Sequence, residues 1–190
     1  MARPKSEDKR LAMLAAATQI IAEQGVSAPT AKIAKLAGVA EGSLFTYFSN
    51  KDDLLNSLYL TLKDELREVM MHGYPHAKNA KARASHAWRK YVEWGAANPQ
   101  KRKVITQLGV SDRLTEHSRT TGMEAFRDIN SMIEQSIAQG VLRDQPPEFV
   151  SAIMSSLAET AIDFMLRDPA QAERYQHAGF QAFWKAIAND

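Results

Sequence analysis

A glycine between two short apolar faces, Ile33-Ala34-x-x-Ala37-Gly38-Val39, restricts this chain more than any other feature. Ile33, Ala34 and Ala37 share one face at helical spacing, and Gly38 stands where a helix ends in a residue that tolerates positive φ. Val39 restarts the apolar pattern. Leu44, Phe45 and Phe48 continue it over a second helix, expected across about 41–48, and should hold that helix to its neighbours. Ala34 is small enough to let the second helix cross close by. Helix, glycine turn and helix in this order is a helix-turn-helix pattern, whose second helix enters the major groove of double-stranded DNA.

The remainder reads as all-α, with sparse glycine and no strand-type alternation. The 24 Lys and Arg against 22 Asp and Glu leave a net charge of only +2, so a DNA contact must come from a localised surface. A short basic arm, Arg3, Lys5, Lys9 and Arg10, lies at the start. Cysteine is absent, which excludes disulfides, thiolate metal sites and thiol redox sensing, and fits a cytoplasmic protein. No stretch is expected to span a membrane.

Punctuation divides the chain. Ser6 is expected to cap a first helix that stops at Gly25, Thr30 to cap the second, and Ser49 or Asn50 to cap a long fourth helix ending near His72. Residues 1–52 then form a DNA-binding head, 53–72 a connecting helix and 75–190 a larger body, with about nine helices in all. Within the body, Asn98-Pro99 separates two helices, and 111–121 reads as a looser Ser/Thr stretch. A long helix follows with Met123, Phe126, Ile129, Ile133 and Ile137 on one face, closed by Gly140. Pro146-Pro147 and Pro169 open the last two helices.

The 30–55 stretch resembles the DNA-binding end of the TetR (tetracycline-repressor-like) family. Thr30-x-x-Ile33-Ala34-x-x-Ala37-Gly38-Val39 and Gly42-Ser43-Leu44-Phe45-x-Tyr47-Phe48-x-x-Lys51-x-x-Leu54 carry the likeness, over about a quarter of the chain. The resemblance implies phosphate and groove contacts at Thr30, Gly42, Tyr47 and Lys51, a homodimer, and a small-molecule effector in the body. Phe45 often has a tyrosine equivalent in the family and Tyr47 a histidine, so the phosphate contact of a tyrosine hydroxyl is missing at Phe45.

From the residues themselves, Ala40, Glu41, Gly42, Ser43, Thr46 and Tyr47 should face DNA, with Glu41 able to accept from a cytosine amino group. Thr30 and Lys51 should hold phosphates. The candidate effector pocket is Trp88, Tyr91, Trp94, Met123, Phe126, Met154 and Phe164, an apolar lining suited to a mostly apolar ligand. In the last two helices Ser151, Ser155, Ala158, Ile162, Ala178, Gly179, Ala182, Phe183 and Ala186 combine slim and bulky stripes, the pattern of a four-helix homodimer seam. No catalytic motif, cofactor motif or metal-ligand spacing is present. His72 and His76 are separated by Gly73 and Pro75, and Glu173 with His177 is a lone pair. These features point to a ligand-responsive, dimeric DNA-binding repressor on a palindromic operator. The alternative is an all-α DNA-binding architectural or interaction protein with no effector; an enzyme has no residues to stand on.

Overall fold

The computed structural model describes residues 3–189, with side chains from Glu7 onward. Ten α-helices account for the described chain: α1 Arg3–Gln24, α2 Thr30–Leu36, α3 Glu41–Leu44, α4 Lys51–Met71, α5 Ala80–Ala97, α6 Pro99–Gly109, α7 Glu116–Glu124, α8 Arg127–Ala138, α9 Pro147–Arg167 and α10 Ala172–Ile187. A 3-10 turn, Pro169–Gln171, leads into α10, and no strand occurs among the described residues. Positive φ at Gly25, Gly38, Gly73 and Gly140 marks where four of these helices stop. Asn50 caps α4 by accepting from the Asp53 N–H at 2.8 Å, while Asp53 accepts in return from the N–H and hydroxyl of Ser49. Asn79 caps α5 through the N–H of Ala82.

Local expectations fail in several places. Helix α1 begins at Arg3, so Ser6 is inside the helix and not its cap; the side chains of Arg3 and Lys5 lie outside the described residues. Thr30 is the first residue of α2, and Pro29 takes the cap position without a side-chain bond. The 111–121 stretch is largely helical, since α7 starts at Glu116 once Thr115 accepts the Ser118 N–H at 3.1 Å. The long helix expected through Met123 breaks instead at Ala125 and Phe126.

Two compact units result. Met1–Asp64 with Pro99–Glu124 forms one, and Glu65–Asn98 with Ala125–Asp190 forms the other, so α4 contributes to both. The first unit is cored by Met13, Ala17 and Ile21 of α1, Ile33 of α2, Leu44 and Phe48, and Leu54, Leu55 and Leu58 of α4, with Val104 and Leu108 of α6. Asn56 is buried there and pays for its burial with bonds to the second half of the α6–α7 loop, donating to Arg113 O at 3.0 Å and accepting from Thr115 N at 2.9 Å. On α7, Gly122 presses against the Tyr59 ring, where an added Cβ would lie 2.7 Å from a ring carbon.

In the second unit α9 packs on α10 and α5. Trp88 of α5 is the pivot. Its indole is 1% exposed, stacks on Phe183 at 5.8 Å, and donates to Gln176 O at 3.0 Å. The chain closes on itself through Arg143 N to Ile187 O and Asn189 N to Val141 O, pinning the end of the chain to the α8–α9 loop. One described helix, α9, is long and apolar enough to cross a membrane by length and composition, against the sequence expectation. Val, Ile, Leu, Met, Phe and Ala fill most of it, and its apolar window holds at most two charged residues. Only 28% of its apolar window is buried.

Candidate functional site

The helix-turn-helix is built by its turn. Val39 N donates to Ala34 O at 3.0 Å and Gly38 N to Lys35 O at 3.2 Å, the paired bonds of a Schellman motif, with Gly38 at φ +71. That geometry swings the backbone into an extended Ala40, from which α3 starts. Helix α3 is a single turn rather than the two expected. After Leu44 the bonds run from Thr46 N to Ser43 O and Tyr47 N to Leu44 O, the tighter i→i+3 pattern. The Thr46 hydroxyl also donates to Ser43 O at 2.7 Å, competing for the acceptor an α-helix would use.

This tightening rotates the apolar stripe. Leu44 and Phe48 are buried, as expected, but Phe45 is 42% exposed and does not anchor the element. Phe45 therefore joins the outward face with Ala40, Glu41, Gly42 and Thr46, while Ser43 and Tyr47 are half-buried. The sequence signal for Phe45 was ambiguous, because positions 44, 45 and 48 all suit one face of a regular helix. A Cβ on Gly42 would meet nothing within 4 Å, so the fold itself does not require glycine there.

Two further candidates are already engaged within the head. The Thr30 hydroxyl donates to Glu41 Oε1 at 2.6 Å, locking the start of α2 to the start of α3. This leaves the Thr30 backbone N–H for an anion and occupies one Glu41 oxygen. Arg10 of the basic arm lies over the Phe48 ring at 5.7 Å and pairs with Glu7 at 3.5 Å, whereas Lys9 is exposed. Lys51, at the first position of α4, is half-buried; partial burial first, then the Arg113 guanidinium, push its ammonium below the usual lysine range, with Asp52 opposing. Arg113 itself reaches Asp52 at 3.3 Å.

In the second unit the seven candidate pocket residues do not converge. Trp88 is core, Trp94 is buried and donates to Glu65 at 3.0 Å, and Tyr91 is half-buried with its hydroxyl 3.5 Å from Glu159. Met123 belongs to the first unit and is 52% exposed, because the helix expected to carry it inward is interrupted. Phe126 is half-buried at the start of α8, and Phe164 is exposed against Tyr175. Of the seven, Met154 alone lines an apolar cavity in this unit, a void of about 20 Å³ among Ala84 and Ala87, Met132 and Ile133, Phe183 and Trp184. Beside it lies a larger cleft of about 420 Å³, lined by Lys78 just before α5, Lys81 and Arg83 at its start, Gln135 of α8, Gln139 at the cap of α8, and again Trp184.

The seam residues also divide. Ala158, Ile162 and Phe183 are buried within the single chain, and the space at Gly179 is filled by Trp88: a Cβ there would lie 2.6 Å from the indole. These four serve the chain's own core. Ser155, Ala178 and Ala182 are exposed, and Ser151 and Ala186 are half-buried. The large exposed residues of α9 are Phe149, Phe164 and Leu166.

Comparison with known proteins agrees with this architecture. The model of bacterial regulatory proteins of the tetR family matches residues 13–58. The fatty acid metabolism regulator protein of Bacillus subtilis is 29% identical over 139 residues, covering 72% of this chain and 67% of that protein. A tetR-family transcription regulator from Shewanella superposes with a TM-score of 0.87 at 28% identity, covering 96% of this chain and 99% of that one. Bacillus subtilis FadR, solved in complex with stearoyl-CoA, shares the fold, with a TM-score of 0.70 at 19% identity over 91% of this chain and 96% of that one.

Proposed function

Because the chain belongs to the tetR family of bacterial regulatory proteins, we propose that this transcription regulator is a homodimeric repressor, released from a palindromic operator by a small, mostly apolar molecule. The observation that carries the reading is the head. A Schellman turn presents Ala40, Glu41, Gly42, Phe45 and Thr46 outward on a short element, with Lys51 following at the start of α4. No arginine lies on that element, so base discrimination is spread over modest contacts, and Lys51 and the Thr30 N–H supply phosphate attachment.

In this reading 1–52 is the DNA-binding head, 53–72 the connector and 75–190 the effector-binding and dimerisation body. Helix α4 is covalently shared between the two compact units, which suits it to carry motion from effector to head. The effector acts by its differential affinity for two head spacings. The apolar void beside Met154 and the stearoyl-CoA held by Bacillus subtilis FadR both support an apolar ligand. The dimer seam is redrawn on exposed positions, Phe149, Phe164 and Leu166 of α9 with Ala178 and Ala182 of α10. Covering so apolar and so little-buried a helix with its own copy removes it from water. Two heads on a two-fold axis then read half-sites about one helical turn, or somewhat more, apart.

Selection of bound duplexes from a random pool, followed by a ligand screen on the selected complex, tests the reading. An enriched inverted repeat whose complex dissociates with one ligand class is the expected result. Binding without sequence enrichment would sink it.

A further inference from the structure

The apolar void and the basic cleft share one wall. Trp184 of α10 lines both, and α5 and α8 contribute to each. Along α5, Lys81 at the cleft is followed one turn later by Ala84 and then Ala87 at the void. Back along α8 from its cap, Gln139 and Gln135 at the cleft give way to Met132 and Ile129 at the void. Polarity thus changes from charged to wholly apolar over about two helical turns, or roughly 10 Å.

The charged end is unbalanced. Lys78, Lys81 and Arg83 line the cleft with no carboxylate among its walls, and among the described residues no salt bridge holds any of the three. Lys81 Nζ rests 5.9 Å from the Trp184 ring, and the Arg83 guanidinium sits 5.4 Å over the Tyr74 ring. The same guanidinium opposes the rise in pKa that burial gives the Tyr74 hydroxyl, so Arg83 is engaged with Tyr74 while Lys78 and Lys81 stay exposed. Three cations and three carboxamides, Asn79 with Gln135 and Gln139, in a lining that holds no carboxylate suit a multiply charged oxyanion better than a single carboxylate.

We propose that this cleft receives the phosphorylated head of the effector, whose apolar chain enters past Trp184 between α5, α8 and α9. The proposal rests on the reading of the chain as a ligand-responsive regulator and names the chemical class of its ligand: a phosphate-bearing amphiphile. At about 20 Å³ the apolar void is closed to a chain, with room for about one water. Entry therefore displaces side chains, and Met132 and Met154 are the adaptable ones. A ligand that must open the body to bind has the differential affinity a switch requires.

The test is calorimetric titration of the full chain with stearoyl-CoA, dodecyl phosphate, stearate and free CoA, on wild type, on Lys78→Glu/Lys81→Glu, and on Gln139→Glu. Lys78, Lys81 and Gln139 are exposed, so thermal unfolding should be unchanged in all variants. Wild type should hold at least one phosphorylated amphiphile about tenfold or more tighter than stearate. Stearoyl-CoA ahead of dodecyl phosphate identifies a CoA thioester, the reverse a simpler phosphate ester. Charge reversal should weaken the phosphorylated ligands by about tenfold or more while leaving stearate within about twofold. Wild type binding neither phosphorylated amphiphile better than stearate, or a charge-reversed protein binding both as wild type does, overturns the proposal. Operator binding by the ligand-free variants separates the two levels: its loss in wild type defeats the regulator reading, whereas intact operator binding with unaltered ligand affinity defeats only the head-group cleft.

Discussion

Replacing Gly179 with alanine tests whether the slim stripe of α10 exists for the chain's own interior. The new Cβ would lie 2.6 Å from Trp88 Cζ2 and 3.2 Å from Ala161 Cβ. Ordinary contact needs about 3.5–4.0 Å, so the indole or the helix must yield by roughly 1 Å. The indole has little freedom. It is stacked on Phe183, nearly sealed from solvent, and tied by its N–H to Gln176 on the same helix as Gly179. Moving α10 away stretches that bond, and turning the ring breaks the stack. Helix propensity alone favours alanine by about 1 kcal/mol. Overpacking costs about 1–3 kcal/mol and a weakened buried hydrogen bond about 1 kcal/mol more. The balance is a loss of about 1–3 kcal/mol, or a fall in Tm of about 2–12 °C for a chain of this size. Scanning calorimetry reads it directly, and a double-mutant cycle isolates the cause. In a Trp88→Phe background, where the offending ring atoms are gone, Gly179→Ala should cost much less or become stabilising. A raised Tm in the wild-type background, or an equal cost in both backgrounds, would refute the clash.

Three other outcomes are expected. Gly42→Ala should leave stability unchanged or raise it by up to about 1 kcal/mol, since its Cβ enters open space. It should weaken operator binding by about tenfold in fluorescence anisotropy, because the backbone can no longer approach DNA as closely; unchanged affinity would remove Gly42 from the interface. Ala182→Arg, at an exposed position of α10, should convert a dimer to a folded monomer in light scattering, and a wild type already monomeric at micromolar concentration would defeat the seam. Burial pushes Lys63 down to about 8 from 10.5, so its charged form is disfavoured in the fold. Below pH 8 this penalty is fully present, and stability should rise as pH climbs from about 8 to 10.5, where the unfolded chain binds more protons. Lys63→Met should then add up to roughly 3 kcal/mol at pH 7 and flatten the alkaline rise in urea unfolding; an unflattened rise would place its cause elsewhere.

The sequence determined those features that depend on a few neighbouring residues. Gly25, Gly38 and Gly140 end helices because only glycine takes positive φ without cost, and Asn50 begins one because its carboxamide reaches a free N–H three residues on. Buried Leu44 and Phe48, and the exposure of Glu41, Gly42 and Thr46, follow from the same short-range periodicity. Tertiary structure decided whatever depends on who packs against whom. The 111–121 stretch reads as loose by its Ser and Thr content, yet α7 starts at Glu116, and Gly122 on it is the space that admits Tyr59. Gly179 reads as a close approach to another subunit, and the neighbour is Trp88 of the same chain, ninety-one positions earlier in sequence. Trp88 and Trp94 read as pocket aromatics and are buried, whereas Lys78, Lys81 and Arg83, which no local pattern singles out, line one cleft. Helical spacing says that a face is covered or charged. Only the packing of α5, α8, α9 and α10 says by what, because the partner of each face lies tens of residues away and local pattern carries no address for it.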